Sequence, residues 1–100
     1  MKKVIVHYKV KAEKVQQNDE LSREILQELH ASQPVDFQYS IYKLADGVSY
    51  MHIAHFMEDN NPLLTLPAFK KFQLSIKERC DEAPVVTVME GIGFYNMLSA

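Results

Sequence analysis

From residue 3 to residue 11 apolar side chains alternate with a second, more mixed set. Val4, Val6, Tyr8 and Val10 share one parity, and Ile5, His7, Lys9 and Lys11 share the other, which predicts a β-strand. Over residues 14–31 the period changes. Val15, Asn18, Leu21, Ile25, Leu26 and Leu29 fall on one helical arc with Glu20, Arg23, Glu24 and Gln27 largely outside it, so an amphipathic helix is predicted, ended by Ser32-Gln33-Pro34. Residues 36–44 and 48–57 read as two strands joined at Asp46-Gly47, a type I′ hairpin signal because both central positions of that turn need positive φ. With those two residues as the loop, opposed positions sum to 93. Phe37 then faces Phe56, Tyr39 faces Ala54, Ile41 faces His52 and Lys43 faces Tyr50 on one face; Gln38–His55, Ser40–Ile53 and Tyr42–Met51 share the other. After a loop at 58–62 and a short turn at 63–66, Pro67 suits the first position of a helix. Phe69, Phe72, Ile76 and Cys80 form its apolar stripe, and Leu74 points away from it. A break at 81–84 and a last strand at 85–96 complete the chain.

The order β-α-β-β-α-β is that of an α+β, ferredoxin-like fold: a four-stranded antiparallel sheet with two helices on one face. Such a sheet should present polar residues on its other face. Here that face carries Ile5, Tyr42, Met51, Ile53 and Met57, and the last strand is apolar on both parities, with Val85 and Met89 on one and Val86, Val88, Ile92 and Phe94 on the other. One layer of helices cannot cover both faces. A second copy of the same sheet is the economical cover, giving a homodimeric α/β barrel with helices outside. Met51, Met57, Met89 and Met97 would lend that seam adaptability or simply fill the core.

Composition narrows the setting. The chain has 100 residues, 47% of them hydrophobic and 24% charged, with a formal net charge of −2. This fits one domain spanning residues 1–100 and offers no electrostatic footprint for nucleic acid or an anionic membrane. No apolar run is long enough for a membrane span, and the Met1-Lys2-Lys3-Val4-Ile5-Val6-His7 start turns polar too soon for a signal peptide, so a cytoplasmic protein is expected. The single cysteine, Cys80, makes neither an internal disulfide nor a cysteine-rich zinc site, and on the helix stripe it reads as a small core thiol. Gly91-Ile92-Gly93 lacks the third glycine, the lysine and the following helix of a phosphate loop, and reads as a bulge within a strand.

Several segments together resemble a known family. They are the strand Val4-Ile5-Val6-His7-Tyr8-Lys9-Val10-Lys11, the Asp46-Gly47 hairpin, Ala54-His55-Phe56-Met57-Glu58, Pro67-Ala68-Phe69-Lys70-Lys71-Phe72 and the Val-rich last strand. In this order they resemble the antibiotic biosynthesis monooxygenase domain of the dimeric α/β-barrel superfamily, over nearly the whole chain. The resemblance implies a homodimer of ferredoxin-like subunits with a pocket between each sheet and its helices. It also implies oxygenation of a phenolic or quinol-like molecule by molecular oxygen with no cofactor, metal or flavin. Phe56 stands near a place where many members have Trp, and Leu63 where many have His. The haem-degrading branch uses an Asn, a Trp and a His; Leu63 and Gln73 occupy roughly the places of that Trp and His, so haem degradation is not expected.

Cofactor-free oxygenation needs a base near working pH, a donor for an oxyanion and a dry apolar pocket. With Val4, Val6, Tyr8 and Val10 toward the helices, strand pairing brings Phe37, Tyr39, Tyr50, His52 and Phe56 to the same face, under Phe69 and Phe72. His52 is the expected base and Tyr39 or Tyr8 the expected donor, with Tyr8, Tyr50, Phe56, Phe69 and Phe72 as substrate contacts. The same residues also make an ordinary core with satisfied polar tips. His55 and His7 belong to the opposite face, so His52 and His55 cannot chelate one metal, and no metal site is expected. His30 sits near a helix C-terminus, where it complements the dipole. Three readings remain open at this point: a homodimeric oxygenase acting on a small aromatic or quinol-type molecule, a non-catalytic binder of such a ligand, and a structural protein with no ligand.

Overall fold

In the computed structural model, which describes residues 1–96, the Val- and Ile-rich strand β1 (Lys2–Val10) occupies an interior position of the sheet. β2 (Phe37–Lys43), β3 (Ser49–Phe56) and β4 (Cys80–Met89) complete it in the order β2–β3–β1–β4, every neighbouring pair antiparallel. The fold is the α+β, ferredoxin-like one expected from the sequence. Helix α1 (Val15–Ser32), entered through a 3-10 turn at Ala12–Lys14, follows β1. Helix α2 (Pro67–Leu74) and the four-residue α3 (Ile76–Arg79) precede β4.

α1 stops where Gln33 takes the left-handed conformation (φ 47°) and its N–H bonds the Leu29 carbonyl at 2.8 Å; Pro34 then prevents continuation. Its buried residues are Leu21 and Ile25, together with the polar Asn18 and Ser22. α2 begins with Pro67 at its first turn. Its N-terminus is tied to α1 by the Ala68 N–H, which donates to Glu28 Oε1 at 3.0 Å. Tyr8, Val10, Leu21, Ile25, Tyr50, Leu63, Leu66, Ala68 and Phe72 form the main core between helices and sheet.

The β2–β3 register is the one read from the sequence, from Phe37↔Phe56 to Lys43↔Tyr50. The turn is not. Asp46 lies outside the left-handed region and only Gly47 enters it, at φ +77°. The Gly47 N–H bonds the Leu44 carbonyl at 3.0 Å, and the Leu44 N–H bonds the Ser49 carbonyl at 2.8 Å. The Asp46 carboxylate replaces the expected backbone geometry by accepting from the Val48 and Ser49 N–H groups at 3.0 and 2.8 Å and from the Ser49 hydroxyl at 2.5 Å. Those bonds, the Ser49 hydroxyl foremost, hold its pKa at about 2. The loop is longer than predicted but symmetric about the same centre, so the register survives.

The C-terminal part departs more from expectation. The second helix ends at Leu74, which is exposed as its periodicity required, and Ser75 separates it from α3. Cys80 is not on a helix. It opens β4 opposite Val10 and is half-buried, and the supposed break at 81–84 is strand. The β1–β4 register shifts between His7 and Val10, beside Pro84, whose ring cannot donate to a ladder and fits an irregular edge strand. β4 ends at Met89, so Gly91, Ile92, Gly93 and Phe94 lie beyond the strand, and Met97 lies outside the described residues. Among the described residues no helix is long and apolar enough to cross a membrane, and no group of three or more His, Cys, Asp or Glu side chains could hold a metal.

Candidate functional site

Cross-strand rows aim the first-face residues at the helices. Tyr39, Ala54, Val4 and Val88 form one row, Ile41, His52, Val6 and Val86 the next, and Lys43, Tyr50 and Tyr8 the third. The small Ala54 side chain between Tyr39 and Val4 leaves space above the sheet. Beyond it lies a cavity of about 340 Å³. Its floor is Val4, Val6, Tyr8, Tyr39, His52 and Ala54, and its walls include Phe56, Leu63, Phe69, Phe72 and Ile76, with Lys2, Asn61, Pro84 and Val86 among its other lining residues. The size suits a small molecule, and the lining is apolar with a few converging polar groups.

His52 lies under this cavity, only 4% exposed. Its Nε2 is 2.8 Å from the Tyr8 hydroxyl and its Nδ1 is 2.7 Å from the Tyr39 hydroxyl. The rings of Tyr8, Tyr39 and Phe72 surround it at centroid distances of 5.2, 5.8 and 5.6 Å. Burial among these rings disfavours the imidazolium and pulls the pKa down to about 4, so the ring is neutral at pH 7. Burial likewise raises the Tyr8 and Tyr39 phenols above their ordinary value.

The Tyr8 hydroxyl continues into the helix layer. Asn18 Nδ2 donates to it at 2.9 Å, and Asn18 Oδ1 accepts from Arg79 Nε at 3.1 Å. Arg79, 1% exposed, also donates to the Ser75 hydroxyl at 2.6 Å and the Phe72 carbonyl at 3.1 Å, and its guanidinium lies 4.6 Å from the Phe72 ring centre.

Of the residues singled out from sequence, the structure brings Tyr8, Tyr39, His52, Phe56, Phe69 and Phe72 to one cavity. Tyr50 is elsewhere. It stacks on the far side of Tyr8 at 5.3 Å and donates to Asp19 Oδ1 at 2.5 Å, in a separate groove beside Lys43. Burial works to raise the Asp19 carboxyl, but the hydrogen bonds from Lys43 and Tyr50 outweigh it and hold the group low. His55 pairs with Lys3 and Gln38, and His7 with Met51 and Val85, on the face without helices. Sequence reasoning missed Arg79 and the role of Asn18. Asn18 did carry a signal: an amide on the apolar arc of α1 must find a buried partner. Arg79 carried none, because its burial depends on the break at Ser75.

No family model matches the sequence, and no curated protein matches it. Solved structures do. A crystal structure described as an antibiotic biosynthesis monooxygenase superposes with a TM-score of 0.74 at 17% identity, covering 93% of this chain and 100% of that one. Rv0793 from Mycobacterium tuberculosis gives 0.74 at 15% identity, covering 93% and 96%. SnoaB, a cofactor-independent oxygenase from Streptomyces nogalater, solved in a mutant form, gives 0.70 at 13% identity, covering 96% and 97%. The resemblance seen in the sequence therefore holds at the level of the fold, nearly end to end.

Proposed function

We propose that this protein is a monooxygenase-like enzyme that takes a small aromatic or quinol-type molecule into the sheet–helix cavity and needs no cofactor. The observation that carries the reading is the hydrogen-bonded Tyr8–His52–Tyr39 set beneath an otherwise apolar cavity. The shared fold with a structure described as a cofactor-independent oxygenase supports it. In this reading Phe56, Phe69 and Phe72 hold the ring of the substrate. Tyr39 meets its oxygen, and His52, whose two nitrogens are both engaged by hydroxyls, acts through Tyr39. The substrate supplies all the electrons: a phenol gives up its O–H and one ring C–H hydrogen, and with O₂ yields a quinone, carrying one new C=O oxygen, and H₂O. The apolar walls keep the electron-rich intermediate from water.

We further propose that the working unit is a homodimer. The face without helices carries Ile5, Met51 and Ile53, half-buried, with Tyr42 and Val85 exposed, and a second sheet packed there would cover them. Oxygen uptake against a panel of naphthols and quinols tests the enzyme reading. Uptake with at least one member, lost in His52→Ala, is the expected result. Saturable binding without uptake would favour a non-catalytic binder instead.

A further inference from the structure

Arg79 is a buried cation with no acid beside it. Among the described residues no carboxylate lies within ion-pair distance of its guanidinium, and the Asp19 carboxylate is already engaged by Lys43 and Tyr50. Burying a charge without a counter-ion is costly, and proteins seldom keep one without a use. Burial works against its charged form, but a guanidinium remains protonated.

A guanidinium also has no acceptor, and that fixes the direction of everything attached to it. Arg79 Nε–H must donate, so Asn18 turns its oxygen to Arg79 and its NH₂ to Tyr8. The Tyr8 oxygen accepts from Asn18, and the neighbouring Ser22 hydroxyl already donates to the Asn18 carbonyl, so the Tyr8 proton goes to His52 Nε2, 2.8 Å away. A neutral imidazole that accepts at Nε2 carries its proton on Nδ1, and that proton is donated to the Tyr39 oxygen at 2.7 Å. The Tyr39 O–H is then left over. Tyr39 lines the cavity, and among the described residues its hydroxyl has no other hydrogen-bond partner.

We propose that the chain Arg79–Asn18–Tyr8–His52–Tyr39 runs in one direction and presents the cavity with a polarised O–H donor, so that the site takes its ligand as an oxyanion, a phenolate or enolate, which supplies the negative charge Arg79 lacks. This deepens the proposed function and rests on its cavity. Tyr39 is the contact to the ligand; Asn18, Arg79 and His52 are positioning residues. The ligand leaves its proton in the solvent, and the low basicity of His52 agrees with a ring that orients Tyr39 rather than abstracting a proton. Arg79 does not itself line the cavity; among the described residues the charged side chain that does is Lys2, itself exposed.

The test uses 4-nitrophenol, whose phenolate absorbs separately from the phenol. Its titration is followed free and in excess wild-type protein, Tyr39→Phe, Arg79→Met and Lys2→Met, with circular dichroism to check the fold. The bound probe should ionise about one pH unit or more below the free probe. Tyr39→Phe and Arg79→Met should abolish that displacement, and Lys2→Met should keep it. If Arg79→Met does not fold, Tyr39→Phe alone decides, because it deletes the terminal donor and leaves the rest of the chain in place. Binding with ionisation at or above the free value, or a displacement that depends on Lys2 and survives Tyr39→Phe, overturns the assignment and leaves the cavity reading standing. Absence of binding of both forms at millimolar concentration overturns the two together.

Discussion

His52 offers a sharp pH test, because its folded-state pKa of about 4 lies well below the ordinary 6.5 and its cause is burial alone. Between those values the unfolded chain takes up a proton that the folded chain refuses, so stability falls as the pH drops from 6.5 toward 4 and is unaffected by this group above 6.5. The gap of roughly two to three pH units, at 1.36 kcal/mol per unit, amounts to about 3 kcal/mol when fully expressed, most of it by pH 4.5. For a domain of this size that is roughly a 10–20 °C fall in Tm. Asp19 and Asp46, both held low, lose their contributions lower down, as the pH falls through and below 3.8. The assay is urea unfolding at pH 7.5, 5.5 and 4.5, at one protein concentration, for wild type and His52→Gln. The variant should be less stable at pH 7.5, and the gap to wild type should narrow by about 2 kcal/mol by pH 4.5. A gap that stays constant with pH would mean that the folded protein protonates His52 as readily as the unfolded chain, and that burial does not hold the ring neutral.

Removing the Tyr8 hydroxyl strands Asn18 Nδ2 and His52 Nε2 in the core, so Tyr8→Phe should cost about 2–4 kcal/mol in urea unfolding, against about 1 kcal/mol for Tyr39→Phe, whose bond to His52 is only part-buried. Gly47→Ala should cost about 1 kcal/mol from its φ of +77° alone, because a Cβ there meets nothing within 4 Å; Gly47→Asn should cost less. Ile53→Glu on the face without helices should convert a dimer into an 11.5 kDa species in sedimentation, whereas an 11.5 kDa wild type would end the dimer proposal.

The period-two and helical patterns carried most of the fold because each buried stripe has one place to go. The hairpin register is the clearest case. A slip by one residue would have exchanged Tyr39, His52 and Phe56 with Gln38, Ile53 and His55 across the sheet, so the burial pattern protected it even though the turn was misjudged. The turn was misjudged because Asp46 satisfies the loop with its side chain, which a backbone rule for two positive φ values does not anticipate. Around residues 75–84 local pattern failed for another reason. Cys80 continues the helical spacing of Phe69, Phe72 and Ile76, but pairing with Val10 in the sheet prevails over one more helical turn. The same event buries Arg79, so the part of the site that begins there was hidden with it. His52, Tyr39 and Tyr8 were legible because strand pairing places them in adjacent rows; Tyr50 was misplaced because parity gives a face and not a position along it.

We propose above that the cavity over Tyr39 and His52 performs oxygen chemistry on a small aromatic molecule. An oxygen electrode, with chelator-treated protein and a naphthol or quinol whose spectrum reports its own oxidation, measures it directly. The wild type should consume one O₂ per substrate oxidised, and both His52→Ala and Tyr39→Phe should lose that activity while sedimentation and circular dichroism stay unchanged. Oxygen uptake that persists unaltered in both variants would contradict the proposal.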